Sequence, residues 1–217
     1  MCFSATASFT IAAATGTMGV LSLTQISTKR ELPLASIPLV FAVQQAIEGC
    51  LWLVLPGGGA GWLPAALSAV FVAIGFLVWP LLPSLAAVLI EPKASRRKMI
   101  YFTLAIGVGV ALYLGIDMVT HPYTARIVGH SLCYVNGGAI PPWLLPFYMT
   151  GACGPLVISS HRMLRNLAFF ILAGLAISLA FYLYAFISVW CFFAAGTSVI
   201  IYLHYAARHE KNAALES

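Results

Sequence analysis

The chain has 217 residues, of which 61% are hydrophobic and only 8% charged, with a formal net charge of +5 and a mean hydropathy of +0.96. Soluble domains carry about 25% charged residues, so the composition excludes a cytosolic enzyme and makes lipid the main solvent. Seven units of about 31 residues would each hold a span of about 20 residues and a short connection, which leaves no room for an ordinary soluble domain.

In chain order, apolar stretches run over 5–26, 37–55, 64–90, 98–119, 140–160, 166–183 and 186–207. They are interrupted by the charged run Ser27 to Glu31, the Pro56-Gly57-Gly58-Gly59 turn, the charged run Glu91 to Lys98, the polar stretch 120–139, and His161 to Arg165. The segment 166–207 is nearly unbroken, but 42 residues of helix would reach about 60 Å, twice the hydrocarbon core, so it reads as two spans. The expected fold is all-α, a seven-transmembrane-helix bundle over 1–207 with a short tail at 208–217.

If the spans alternate, Lys29, Arg30, Lys93, Arg96, Arg97, Lys98, Arg162, Arg165, Arg208 and Lys211 share one side, and Arg126 alone lies on the other. That bias places the amino terminus outside and the tail in the cytoplasm. The basic balance then reports orientation and contact with anionic headgroups, not a nucleic-acid surface. The first span has no basic residue before it and no cleavage site, so it reads as retained. No lipobox precedes Cys2.

Helix one carries Ser4, Ser8, Ala12, Thr15, Gly19 and Ser22 along one stripe, and helix four carries Gly107, Ala111 and Gly115 at spacing four. Both read as packing faces, because helices in lipid associate through small residues. Each proline within a span deprives the carbonyl four residues earlier of its donor. Pro80 and Pro83 therefore release Phe76 and Trp79, and Pro155 releases Gly151; a neighbouring hydroxyl, water or ligand must then satisfy them.

Glu48 is the most informative single residue. It lies about 10 Å inside the outer end of helix two, at a depth where an ionisable group is costly and should face the bundle interior. Gln44, Gln45 and Trp52 share its face. This cluster can clamp two helices, bind a cation or pass a proton. On helix seven Ser188, Cys191, Ala195, Ser198 and Tyr202 form another polar face beside Trp190, which suggests one outward-opening cavity lidded by 120–139.

A second group gathers at the outer surface. Asp117 and His121 are one helical turn apart, with Arg126, His130 and Cys133 following and Cys2 on the same side. Asp117 near a helix carboxyl end is disfavoured by the dipole, so His121 or Arg126 should accompany it. Carboxylate, imidazole and thiolate are zinc-type ligands, which makes Asp117, His121, His130 and Cys2 a candidate site for a divalent metal such as zinc; the spacing matches no diagnostic motif. The alternative is a polar loop with an ion pair. Cys2 and Cys133 could form a disulfide on an oxidising side, while Cys50, Cys153 and Cys191 read as small buried hydrophobes. No lysine lies within a span, which argues against a retinal Schiff base. Gly57 to Gly61 lacks a phosphate-loop ending, and no Gly-x-Ser-x-Gly elbow occurs. The ten residues after Ala207 are too few for an output domain.

The opening Met1-Cys2-Phe3-Ser4-Ala5-Thr6-Ala7-Ser8-Phe9, then Arg30-Glu31-Leu32-Pro33, Gln44-Gln45-x-x-Glu48-Gly49-x-x-Trp52 and Trp190-Cys191-Phe192-Phe193-Ala194-Ala195 resemble an uncharacterised family of bacterial multi-pass membrane proteins that carries only a domain-of-unknown-function label. The resemblance covers the full chain and implies an integral protein of the bacterial inner membrane, without an activity or substrate. It directs attention to Cys2, Ser4, Glu48, Trp52, Trp190 and Cys191.

Three functions follow as expectations. The first is a sensor or carrier that binds a small ligand or cation, with Glu48 supplying charge, Gln44 and Gln45 hydrogen bonds, Trp52, Trp190 and Cys191 the walls. The second is an intramembrane metal-dependent hydrolase at Asp117, His121, His130 and Cys2. The third is a scaffold whose polar faces serve only packing.

Overall fold

The computed structural model describes residues 4–57, 61–138, 140–181, 190 and 195–216. Helix α1 spans Ala5–Thr24 and α2 Leu32–Val54, joined by a 3-10 turn at Lys29–Glu31. The Ser4 hydroxyl caps α1 by accepting from the Ala7 amide at 3.2 Å, and Pro33 stands in the first turn of α2, where its missing donor costs nothing. Helix α3, Trp62–Ala73, passes through a π-helical turn, Ile74–Val78, into α4, Leu82–Ile90. Then come α5, Ala94–Thr120, strands β1, Thr124–Val128, and β2, Ser131–Val135, and helices α6, Leu144–Ala152, α7, Gly154–Ile158, α8, Arg162–Phe181, and α9, Thr197–Glu216. The protein is therefore mostly helical, and α9 carries the helix on through the expected tail to Glu216.

Among the described residues, five helical segments are long and apolar enough to cross a membrane: Ala5–Thr24, Lys29–Val54, Trp62–Ile90, Ala94–Thr120 and Arg162–Phe181. The apolar stretch 140–160 instead forms two short helices broken at Cys153, ahead of Pro155. The seventh stretch is described only at Trp190 and from residue 195 onward.

The expectation of an all-α fold needs one correction. Within the polar stretch 120–139, β1 and β2 pair antiparallel from Thr124↔Val135 to Val128↔Ser131. Thr124, Ile127, Val128, Tyr134 and Val135 favour extended backbone, and Gly129-His130 makes the two-residue turn, with Gly129 at φ 60° supplying the positive φ that the first central position of a type II′ turn requires. The hairpin lies against the bundle. Leu132 and Ala125 pack with Leu51 of α2, and the Ala125 amide donates to the Ser68 hydroxyl of α3 at 3.0 Å.

Small residues set the helix contacts. On α1, Ser8, Thr15, Gly19 and Ser22 are buried. A Cβ at Gly19 would meet Leu39 and one at Gly49 would meet the Phe9 ring, so α1 and α2 approach where one side has no side chain. Gly107 of α5 lies against the Pro80 carbonyl and Gly151.

Four segments meet at the end opposite the hairpin. Arg208 of α9 donates to Glu31 at 2.6 Å and to the Gln25 carbonyl. His161 pairs with the Ile90 carbonyl at 3.0 Å. Glu91 is wholly buried and accepts from the Ser159 hydroxyl at 2.8 Å and from the Ser160 hydroxyl and amide at 2.6 and 2.8 Å. Ser160 stands two residues before α8, so the carboxylate also faces the positive end of that helix. Burial pushes the Glu91 carboxyl up, but the bonds from Ser160, Ser159 and the Lys93 amide outweigh it and hold the pKa at about 2, below the usual 4.5.

Candidate functional site

The π-helical turn explains how α3 and α4 build one wall of the site. The Trp79 amide reaches back to the Ile74 carbonyl, and Pro80 has no amide, so the Gly75 carbonyl loses both helical donors. The Tyr148 hydroxyl of α6 donates to it at 2.5 Å. The bulge thus strands the Gly75 carbonyl as well as that of Phe76, whose donor position is Pro80. The Gly151 carbonyl freed by Pro155 accepts from the Ser84 hydroxyl at 3.0 Å, which is the closure by a neighbouring hydroxyl that such a break requires.

Against this wall α2 presents Gln44, Gln45 and Glu48, all fully buried. The Gln44 amide oxygen accepts from the Trp79 indole at 3.0 Å, and its nitrogen donates to the Phe71 carbonyl at 3.5 Å. These two bonds fix the orientation of the amide. Gln45 donates to one Glu48 carboxylate oxygen at 3.4 Å, and the Tyr134 hydroxyl of β2 donates to the other at 3.4 Å. Tyr134 is held by its ring, which stacks on Phe71 with centroids 4.4 Å apart and planes 1° apart, an arrangement worth about 1 kcal/mol beyond the area it buries. Glu48 stands six residues from the end of α2, about 9 Å below the hairpin end. The hairpin covers an acid that the hydropathy pattern alone places deep in a span.

Trp52 is half-buried among Leu51, Leu132 and Tyr134, and its indole nitrogen has no partner among the described residues. Trp190 meets Tyr148 edge to face at 5.7 Å. Ala195 and, on α9, Ser198 are buried. Cys2, Ser188 and Cys191 lie outside the described residues, and with them the proposed Cys2 to Cys133 disulfide. Cys133 and Cys153 are buried and Cys50 is half-buried.

Asp117 and His121 do come together, with Oδ1 to Nδ1 at 3.2 Å. The other Asp117 oxygen accepts from the Tyr123 hydroxyl at 3.0 Å and the Asn136 amide at 3.2 Å. These two residues flank the hairpin, so Asp117 pins its base to α5. Burial and the neighbouring Asp117 raise the Tyr123 pKa and keep its hydroxyl protonated, and burial pushes the Cys133 thiol up. His130 sits at the hairpin tip, about 13 Å along the strands from that base, and Arg126 is exposed. Among the described residues no three His, Cys, Asp or Glu side chains gather closely enough to hold a metal ion.

Sequence reasoning overlooked Tyr134 and Glu91. The signal for Tyr134 was the pair of five-residue runs around Gly129-His130; Glu91 reads as part of a solvated charge run until Ser159 and Ser160 are brought to it.

No curated protein and no solved structure matches the chain. The model for a Family of unknown function (DUF6629) matches residues 1–216, and the chain belongs to that family.

Proposed function

We propose that this chain is a multi-pass protein of the cell membrane, a seven-helix bundle with its amino terminus outside, which binds a small cation or ligand at Glu48 beneath the hairpin and acts as a sensor or carrier. The observation that carries the reading is the closure of Glu48 by Tyr134. A buried acid in a span is functional by default, and here the element covering it also supplies one of the carboxylate's donors. The Tyr134 hydroxyl oxygen and the Gln45 amide meet the carboxylate, and carboxylate and hydroxyl oxygens are the ligand type that hard cations use. A π-helical turn, a feature frequent at functional sites, abuts the same cluster.

The seven-span arrangement draws support from the opposite end. Segment 205–208 is bonded to 25–31 and segment 159–165 to 90–93, and all four line one basin, which fits an even number of crossings between successive segments. Ten of the eleven basic residues lie in or next to those segments, as a cytoplasmic face requires. Exposed Trp62 and Trp143 suit the opposite interface.

The test is flux and binding in proteoliposomes of the full chain. With a pH-sensitive dye inside and imposed Na⁺, K⁺ or proton gradients, a carrier dissipates one of them, and Glu48→Gln abolishes the flux. A sensor shows no flux, but its tryptophan emission shifts with one cation in the native protein and not in Glu48→Gln. Unchanged behaviour of Glu48→Gln in both assays removes Glu48 from the function and leaves a scaffold.

A further inference from the structure

At the basic end an open basin of about 780 Å³ lies between the 3-10 turn, α4, the start of α8 and α9. Its polar side is formed by Arg30, Arg162 and Arg208, and its apolar side by Leu89, Ile200 and Leu203. The charges are unevenly committed. Arg208 is held by Glu31 at 2.6 Å and lies over the Tyr205 ring, 5.0 Å from its centroid. That pair accounts for the one acid among the described residues that line the basin. Arg30 and Arg162 are exposed, and their side chains make no hydrogen bond or ion pair among the described residues, so two positive charges remain. The apolar rim is equally uncommitted: Leu89 is 36% and Leu203 57% exposed. A site with two uncompensated guanidinium groups on one wall and leucine and isoleucine on the other suits a ligand that is anionic at one end and hydrocarbon at the other. Arginine matches phosphate oxygens in a bidentate manner.

We propose that this basin is a binding site for an anionic phospholipid, with the headgroup phosphate between Arg30 and Arg162 and the acyl chains along Leu89, Ile200 and Leu203. The inference rests on the multi-pass reading, because lipid reaches the basin sideways from the bilayer at its cytoplasmic face. It is independent of Glu48, which lies toward the other end of the molecule.

The experiment uses the full chain purified in detergent, with phosphatidylglycerol, phosphatidylcholine or inorganic phosphate added. Retained lipid is counted by native mass spectrometry and stability is followed by thermal unfolding. The native protein retains phosphatidylglycerol and unfolds at higher temperature with it, and phosphatidylcholine does neither. The double variant Arg30→Ala/Arg162→Ala unfolds like the native protein without lipid, because both side chains are exposed and unbonded. It retains phosphatidylglycerol about tenfold to thirtyfold more weakly, as two lost cations near a headgroup imply. Arg126→Ala, in the hairpin, leaves retention unchanged. Equal retention of the two lipids, or retention unaffected by the double variant, overturns the proposal. An equal stabilisation by inorganic phosphate alone overturns the lipid assignment in favour of a free anion. Extraction of the protein from cell membranes by alkaline carbonate is a separate result, which removes the multi-pass reading itself.

Discussion

Single side chains close the backbone gaps that prolines open in this protein, and each closure is a measurable quantity. Ser84 is fully buried and donates to the Gly151 carbonyl across two helices. Ser84→Ala leaves that carbonyl unmet at a cost of about 1–3 kcal/mol, read as a lowered thermal midpoint in detergent, and Ser84→Thr recovers most of it. Glu48 and Tyr134 call for a double-mutant cycle. If their bond is the coupling between acid and lid, Glu48→Gln and Tyr134→Phe together cost less than the sum of the two alone; strict additivity argues that the contact carries no energy. The depth of Glu48 and its company of Gln44 and Gln45 were legible in the sequence, because hydropathy and the helical period are local properties. The partners were not. Trp79 and Tyr134 reach the cluster from 35 and 86 residues away along the chain, and no local pattern encodes that.

The hairpin and the π-helical turn are the two elements that hydropathy misrepresents. A stretch with a proline, two histidines and an arginine looks like a solvated loop, although its strands alternate around a glycine turn. The proline pattern in 79–84 announces a break, but which further carbonyl is stranded depends on how the turn before it widens, and this is a tertiary outcome. The hairpin yields a direct prediction. Gly129→Val places a β-branched residue at φ 60°, where its cost is of order 1–2 kcal/mol, and should loosen the pairing. Trypsin then cuts after Arg126 faster than in the native protein, while helix content by circular dichroism is unchanged; equal cutting rates count against a seated hairpin. Between helices, Gly107→Leu forces a side chain against the Pro80 carbonyl and separates α5 from α4 and α6. It should destabilise by about 1–3 kcal/mol, the usual range for overpacking, whereas Gly109→Leu meets open space and should be neutral.

For the molecule as a whole, the acid response is set at the basic end. Because the folded pKa of Glu91, about 2, lies below its ordinary value, the carboxylate stabilises the fold at all pH values above about 4.5 and loses that contribution as pH falls from there toward 2. Thermal midpoints in detergent should accordingly be level near neutrality and decline below about pH 4.5. Glu91→Gln should begin lower and lose this part of the decline; a native profile that stays flat to pH 2 contradicts the assignment. Topology has its own check. Single cysteines placed at Ser27 and Ser95 should react with a membrane-impermeant maleimide only after cells are permeabilised, and one at Val128 should react in intact cells. The five segments that are long and apolar enough to cross a membrane among the described residues were evident from composition. The break at Cys153 and the Glu91 clamp were not, since one depends on how two short helices meet and the other on loops 68 residues apart.

The position of the hairpin in the chain has a consequence for biogenesis. Residues 124–136 emerge from the ribosome only after α1 to α5, and on the proposed topology they must cross to the far side carrying Arg126 before folding back onto α2 and α3. Until then, on that topology, Glu48 faces the water of the outer side without its cover. Docking of the hairpin is therefore a maturation event late in assembly, and a translocation defect would strand a full set of helices around an open, hydrated acid.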